Sequence, residues 1–355
     1  MKKISKILLS MLFVSLILVG CSSPTGSTDN NQTDKPAEGC SVLIGLVTDT
    51  GGVDDKSFNQ SAWEGLTQFA EENNLQECIQ YLQSDSEADY IPNLTGYAEE
   101  GYDLVIAVGY LFQDAVDTVS VQYPDTNFLF IDSESLSDNV MSAVYNAEQG
   151  SYLVGVAAGL KAIENESKMV GFLGGMEGDL IGSFQAGYEQ GVLSVCPDCV
   201  IYVDYADSFS DDAKGQQLAA KQYGAGVSVI YQAAGTAGNG VNKEAKERGD
   251  VWAIGVDKDQ YEDGKVADGS SIILTSMVKR VDISTYTAAT EVLNGTFEGG
   301  VMIFDLTNEG VGAELSSGRN LTDEEIAQIQ GYADDIKAGT IKVSAVPTIA
   351  NGSTN

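Results

Sequence analysis

Short apolar runs recur along this chain, each followed by a polar turn and then a stretch of helical periodicity. That alternation constrains the fold more than any other feature. The runs are Val42–Val47, Ile79–Leu82, Leu104–Val108, Asn127–Asp132 and a strand near Val140–Tyr145, then Lys168–Leu173, Val200–Val203, Val227–Tyr231 and Trp252–Asp257. Most are continuously apolar rather than alternating, as a strand must be when helices cover both faces of its sheet. Helical stretches fall between them, including Tyr90–Glu100, Phe112–Tyr123, Gly150–Ile163, Leu180–Val195, Asp211–Tyr223 and Val241–Arg248. The class is therefore α/β, with doubly wound parallel sheets. Repetition of the unit predicts two lobes, residues 40–146 and 147–271. The later segments Ile272–Thr275, Val281–Asn294, Val301–Leu306 and Thr322–Ala338 are too few for a third. They are expected to return, 272–306 to the first lobe and 307–347 to the second. Such returns imply several interlobe crossings, a hinge, and a cleft at the carboxyl ends of the strands, where open α/β sheets bind ligands.

Composition narrows the chemistry. The 355 residues carry a net charge of −33 and no histidine. The acidity argues against nucleic acid as a partner. The missing histidine removes His-based triads, His metal sites and His general bases.

Residues 1–20 read as an export signal. Lys2, Lys3 and Lys6 precede an apolar core, Ile7 to Val19, too short to span a bilayer. The run ends Leu18-Val19-Gly20-Cys21, which looks like a lipobox whose cysteine becomes the lipidated first residue. Residues 21–39 read as a flexible tether. Of the remaining cysteines, Cys40 and Cys78 each precede a strand, so a Cys40–Cys78 bond joins two strand starts if those strands are parallel neighbours. Cys196-Pro-Asp-Cys199 reads as a second structural bridge rather than a redox or zinc site, since one pair is too few for zinc.

The chemistry concentrates in Thr48-Asp-Thr-Gly-Gly-Val-Asp-Asp-Lys-Ser-Phe-Asn-Gln60, between the first strand and the first helix. Its glycines, Gly51 and Gly52, let a ligand come close. Ser57 reads as the helix N-cap with Gln60 as its capping-box partner. Strand-end positions nominate Asp49, Ser57, Phe58, Asn59, Gln60 and Asp132 in the first lobe. Phe184, Tyr231, Gly235 and Asp257 are their counterparts in the second, with Lys279 on a later segment. Two aromatics from opposite lobes can sandwich a flat ring, and stacking is worth about 1–3 kcal/mol per nucleobase. Asn and Asp can read a base edge, and Asp257 and Lys279 suit hydroxyls. The plainer reading makes Phe58, Phe184 and Tyr231 core residues and Lys279-Arg280 a surface pair. Gly235–Gly240 lacks the Gly-Lys-Ser/Thr ending of a phosphate loop.

Asp-x-Gly-Gly-x-Asp-Asp-Lys-Ser-Phe-Asn-Gln-x-x-x-x-Gly resembles the signature of the basic membrane protein family. Phe130-Ile-Asp132, Gly150–Gly159, Gly171–Met176, Ala233-Ala-Gly235, Ile254–Gln260 and Ser276-Met-Val-Lys279 are similar to its later motifs. The resemblance implies a type I periplasmic-binding-protein-like fold with a multi-crossing hinge. It implies a lipid-anchored substrate-binding protein on the extracytoplasmic face of the cell membrane. Its partners would be a nucleoside, of the purine class first, and an ABC permease; no cofactor, metal or catalysis is implied. Stacking would fall on Phe58 and Tyr231, base contacts on Asn59 and Asp132, and ribose contacts on Asp257 and Lys279. Tyr231-Gln232 stands where members often have Phe-His, which bears on ligand preference. Two other readings stay open: a receptor for a sugar or other small polar metabolite, and a hydrolase or nucleosidase using Asp49, Asp54, Asp55 or Asp132. The same aspartates could hold Ca²⁺ or Mg²⁺.

Overall fold

The computed structural model describes residues 39–355. The signal at 1–20, Cys21 and all but the last residue of the 21–39 tether lie outside them. The first lobe is laid down as β1 (Ile44–Thr48), α1 (Phe58–Asn73), β2 (Ile79–Gln83), α2 (Tyr90–Glu99), β3 (Leu104–Val108), α3 (Gln113–Gln122), β4 (Asn127–Ile131) and β5 (Val140–Tyr145). The second continues with α4 (Ala147–Glu164), β6 (Met169–Gly174), α5 (Asp179–Val195), β7 (Val200–Tyr205), α6 (Asp212–Gly224), β8 (Val229–Ala233), α7 (Thr236–Arg248) and β9 (Trp252–Asp257). The remainder is β10 (Ile273–Lys279), α8 (Val281–Asn294), β11 (Gly300–Phe304), β12 (Val311–Ala313) and α9 (Asp323–Lys337).

Two six-stranded sheets result, in the orders β11-β5-β4-β3-β1-β2 and β12-β10-β9-β8-β6-β7. All pairings are parallel except β12, which runs antiparallel to β10. Strands β1, β3, β8 and most of β4 and β9 are buried along their length, which is why their sequences are continuously apolar. The chain reverses its winding direction between β1 and β3 in one sheet and between β6 and β8 in the other. Crevices open at such switch points.

The return segments divide differently from expectation. β10, expected with the first lobe, pairs with β9 in the second sheet. α8 then packs on α1, and β11 pairs with β5, so the rest of 272–306 does lie in the first lobe. The reason is connectivity: β10 is the next parallel strand after β9, and the chain leaves the second sheet only at Lys279. It therefore crosses between lobes at 145–147, 279–281 and 304–311.

The start of α1 also differs. Ser57 makes no side-chain cap. The Asp55 carboxylate takes that part, accepting from the amides of Ser57, Asn59 and Gln60 at 2.9–3.0 Å. A carboxylate there also complements the helix dipole. Gln60 bonds Glu64 instead.

Disulfides join Cys40 to Cys78, at the starts of the neighbouring strands β1 and β2, and Cys196 to Cys199. Glycines let α4 and α5 touch backbone to backbone, and α5 brings residues to the cleft. A Cβ on Gly191 would stand 2.0 Å from the Tyr152 carbonyl oxygen. We expect Gly191→Ala to lower unfolding stability by about 1–3 kcal/mol in urea titrations, from overpacking. Gly224→Ala, with nothing near its added carbon, is expected to leave stability unchanged or slightly raised.

Candidate functional site

The cleft between the sheets holds about 590 Å³ of space outside protein atoms, part of it continuous with solvent. Its walls come from strand ends in both lobes. The first lobe contributes the loop after β1 with the start of α1, Gly109 to Leu111 after β3, and Asp132 after β4. The second contributes Leu180, Ile181 and Phe184 from α5, Phe209 after β7, Ala233 to Gly235 after β8, Asp257 and Lys279. Asp132 and Asp257 both hold left-handed backbone, φ 71° and 66°. That conformation is uncommon outside glycine and gathers at functional sites.

Polar contacts fix the side chains. Lys279 Nζ donates to Asp132 Oδ2 at 2.5 Å, joining the second sheet to the first, and both residues are buried. The ammonium also lies 4.6 Å from the ring centre of Phe58, 4.8 Å from Tyr145 and 5.6 Å from Phe184. Aromatic faces attract a cation at these separations. Ser57 Oγ donates to the Asp257 carboxylate across the lobes. Asn59 Nδ2 donates to Asp49 Oδ1 at 2.9 Å and to Asp55 Oδ2 at 3.0 Å. Both amide protons are thereby used, so the orientation of the group is set and Oδ1 is left as an acceptor. Asn59 Oδ1, Asp132 Oδ1 and Thr236 Oγ1 are buried without a protein partner.

The charged groups lining the cleft are four carboxylates, Asp49, Asp55, Asp132 and Asp257, and one ammonium, Lys279. Burial pushes the Asp49 carboxyl up to about 6, aided by Asp55 and opposed by the Gly51 amide and Asn59. Burial likewise raises Asp257 to about 6, against the pull of Lys279 and the Ser57 bond. Asp55 is raised by burial as well, and burial pushes Asp132 upward despite Lys279.

Of the residues nominated from sequence, Asp49, Phe58, Asn59, Asp132, Phe184, Gly235, Asp257 and Lys279 come together around this cleft. Ser57 sits behind it, bonded to Asp257, and Gln60 points away to Glu64. Tyr231 does not reach it. Its ring is fully buried against Phe172 and Tyr188, and its hydroxyl pairs with Ser151 Oγ. Tyr231 lies in the middle of β8, two residues short of the strand end at Ala233, so its ring packs into the core beside the sheet instead of reaching the crevice beyond the strand ends. Tyr110 and Phe209 were missed. Their rings meet edge to face across the lobes at 6.2 Å. Both had a signal: Tyr110 follows a strand end, and Phe209 is a lone aromatic in the polar run Asp207 to Asp212.

A family model described as "ABC transporter substrate-binding protein PnrA-like" matches residues 43–346. The chain belongs to this Bmp family. Its members are substrate-binding proteins of ABC transporters, not enzymes, which removes the hydrolase reading. The chain is 41% identical to the CD4+ T-cell-stimulating antigen of Listeria monocytogenes serovar 1/2a, over 98% of this chain and 99% of that one. It is 38% identical to the ABC transporter nucleoside-binding protein BmpA of Lactococcus lactis subsp. cremoris, over 92% and 94%. An ABC transporter solute-binding protein from Aeropyrum pernix K1 shares the fold at a TM-score of 0.73 and 27% identity, covering 85% of this chain and 93% of its own. Among the described residues, no helix is long and apolar enough to cross a membrane and no acidic cluster is arranged for a metal ion.

Raised carboxyl pKa values fix a pH dependence. The folded protein holds these protons more tightly than the unfolded chain does. The stability they contribute is present below about pH 4 and is lost as pH rises through about 6. Unliganded protein is therefore expected to gain roughly 1 kcal/mol per group between pH 7 and pH 5. Chemical unfolding across that range, with Asp257→Asn showing a smaller gain, checks the sign.

Proposed function

We propose that this protein is the lipid-anchored receptor of an ABC importer, capturing a nucleoside, purines first, by closing its two lobes around it. One observation carries the reading. Phe58 and Phe184 approach from opposite lobes around a cleft whose free polar atoms, Asn59 Oδ1 and Asp132 Oδ1, are acceptors. A flat heterocycle with N–H groups at its edge meets both demands. The N–H and amino groups of guanosine, inosine or adenosine would donate to Asn59 and Asp132. Ribose hydroxyls would donate to Asp257 and accept from Lys279. Tyr110 and Phe209 would close the remaining apolar wall. The nucleoside-binding relative from Lactococcus supports the ligand class. Cys21 would carry the lipid, and the permease would receive the closed, loaded form.

Thermal unfolding of the intact protein against nucleosides, free bases and sugars tests this. A ligand at a hundredfold excess over its Kd stabilises by about 2.7 kcal/mol. A rise is expected with guanosine, inosine or adenosine, and its loss is expected in Phe58→Ala, Phe184→Ala and Asp257→Ala. A rise with a sugar and none with any nucleoside would sink the proposal. Because the ligand's hydroxyls donate to ionised carboxylates, affinity should fall as pH drops below about 6, opposite in sign to the stability of the free protein. Titration calorimetry at pH 7.5 and 5 compares the two.

A further inference from the structure

The first-lobe loop that starts α1 is gripped from the second lobe at two consecutive peptide carbonyls. Asn239, in the first turns of α7, donates through Nδ2 to the Asp55 carbonyl at 3.0 Å. Gln260, between β9 and β10, donates through Nε2 to the Lys56 carbonyl at 2.8 Å. Neither side chain lines the cleft.

Gln260 is built for this contact. It is fully buried. Its Oε1 accepts from Gln232 Nε2 at 3.0 Å and from the Val256 amide at 3.3 Å, and its own amide donates to Ser276 Oγ at 3.1 Å. With the carbonyl end held by two second-lobe donors, the amino end must face the first lobe. The receiving segment is equally specific. Lys56 has left-handed backbone, φ 61°, and Asp55 holds the first turn of α1 through three amides. Gripping these carbonyls thus sets the helix start that carries Phe58 and Asn59. Two ion pairs, Lys56–Asp263 and Lys258–Glu64, bridge the same rim but are partly exposed and screened.

We propose that Asn239 and Gln260 are a closing latch, positioning residues that stabilise the closed lobes without touching ligand, so that the free receptor already samples the closed form. The inference rests on the lobe closure proposed above. A latch of this kind changes the closed fraction, and apparent affinity scales with that fraction whatever the ligand is.

The test uses the full chain with labels at Glu100 and Glu247, one on each lobe. Asn239→Ala removes one donor. Gln260→Glu removes the other and keeps the acceptor for Gln232 and Val256. Label distances are measured without ligand, and Kd and release rates are measured for inosine and for adenosine. Each substitution is expected to lower the closed fraction of the free protein and to weaken both nucleosides about fivefold, mainly through faster release, at an unchanged affinity ratio. Asn59→Ala, which removes a proposed ligand contact whose side-chain bonds all stay within the first lobe, should weaken binding with the free-state distances unchanged. Three results would overturn the latch: a free wild-type protein with no closed fraction, closed fractions unmoved by either substitution, or an affinity ratio that shifts between the nucleosides. If wild-type protein binds neither nucleoside, the ligand reading fails, and the latch is judged on the distances alone.

Discussion

The buried bond from Lys279 to Asp132 governs the cleft. The two residues end strands in different sheets, so the pair spans the two lobes. Burying two charges carries a desolvation cost that their partners must offset. Here the ammonium has the carboxylate and three aromatic faces, and two of those faces, Phe58 and Phe184, belong to cleft walls. The buried charges and the aromatic walls of the cleft are thus one arrangement. Asp132 keeps one oxygen without a protein partner.

The rest of the site follows from how carboxylates are assigned around that pair. Asp55 caps α1, which frees Ser57 to reach Asp257 in the other lobe. Asp49 and Asp55 together use both protons of the Asn59 amide and so fix which end of it faces the cleft. Each acidic residue has a separate task, and burial raises several of them because they share a small volume of low polarity.

Much of this was legible in the sequence. Continuous apolar strands and intervening helices announced two doubly wound lobes, and the rule that ligands sit at strand carboxyl ends pointed to Asp49, Asp132 and Asp257. Position along a strand decided the failures. Tyr231 lies within β8, where its ring joins the core, while Phe209 and Tyr110 lie just past strand ends, where theirs reach the cleft. The helix cap failed for a different reason. Ser57 and Gln60 have capping-box spacing, but Asp55 competes for the same amides with both oxygens of a carboxyl group.

The sequence alone determined the class of fold, the number of lobes and the loop that lines the cleft, because hydrophobic periodicity and strand-end residues are local properties. Only the tertiary structure decided that β10 belongs to the second sheet, that Lys279 faces Asp132 across the lobes, and that Asn239 and Gln260 reach the Asp55–Lys56 segment. Those contacts join residues 147 to 204 positions apart. No local pattern encodes such pairings; they arise when the chain crosses between lobes three times and brings separate strand ends face to face.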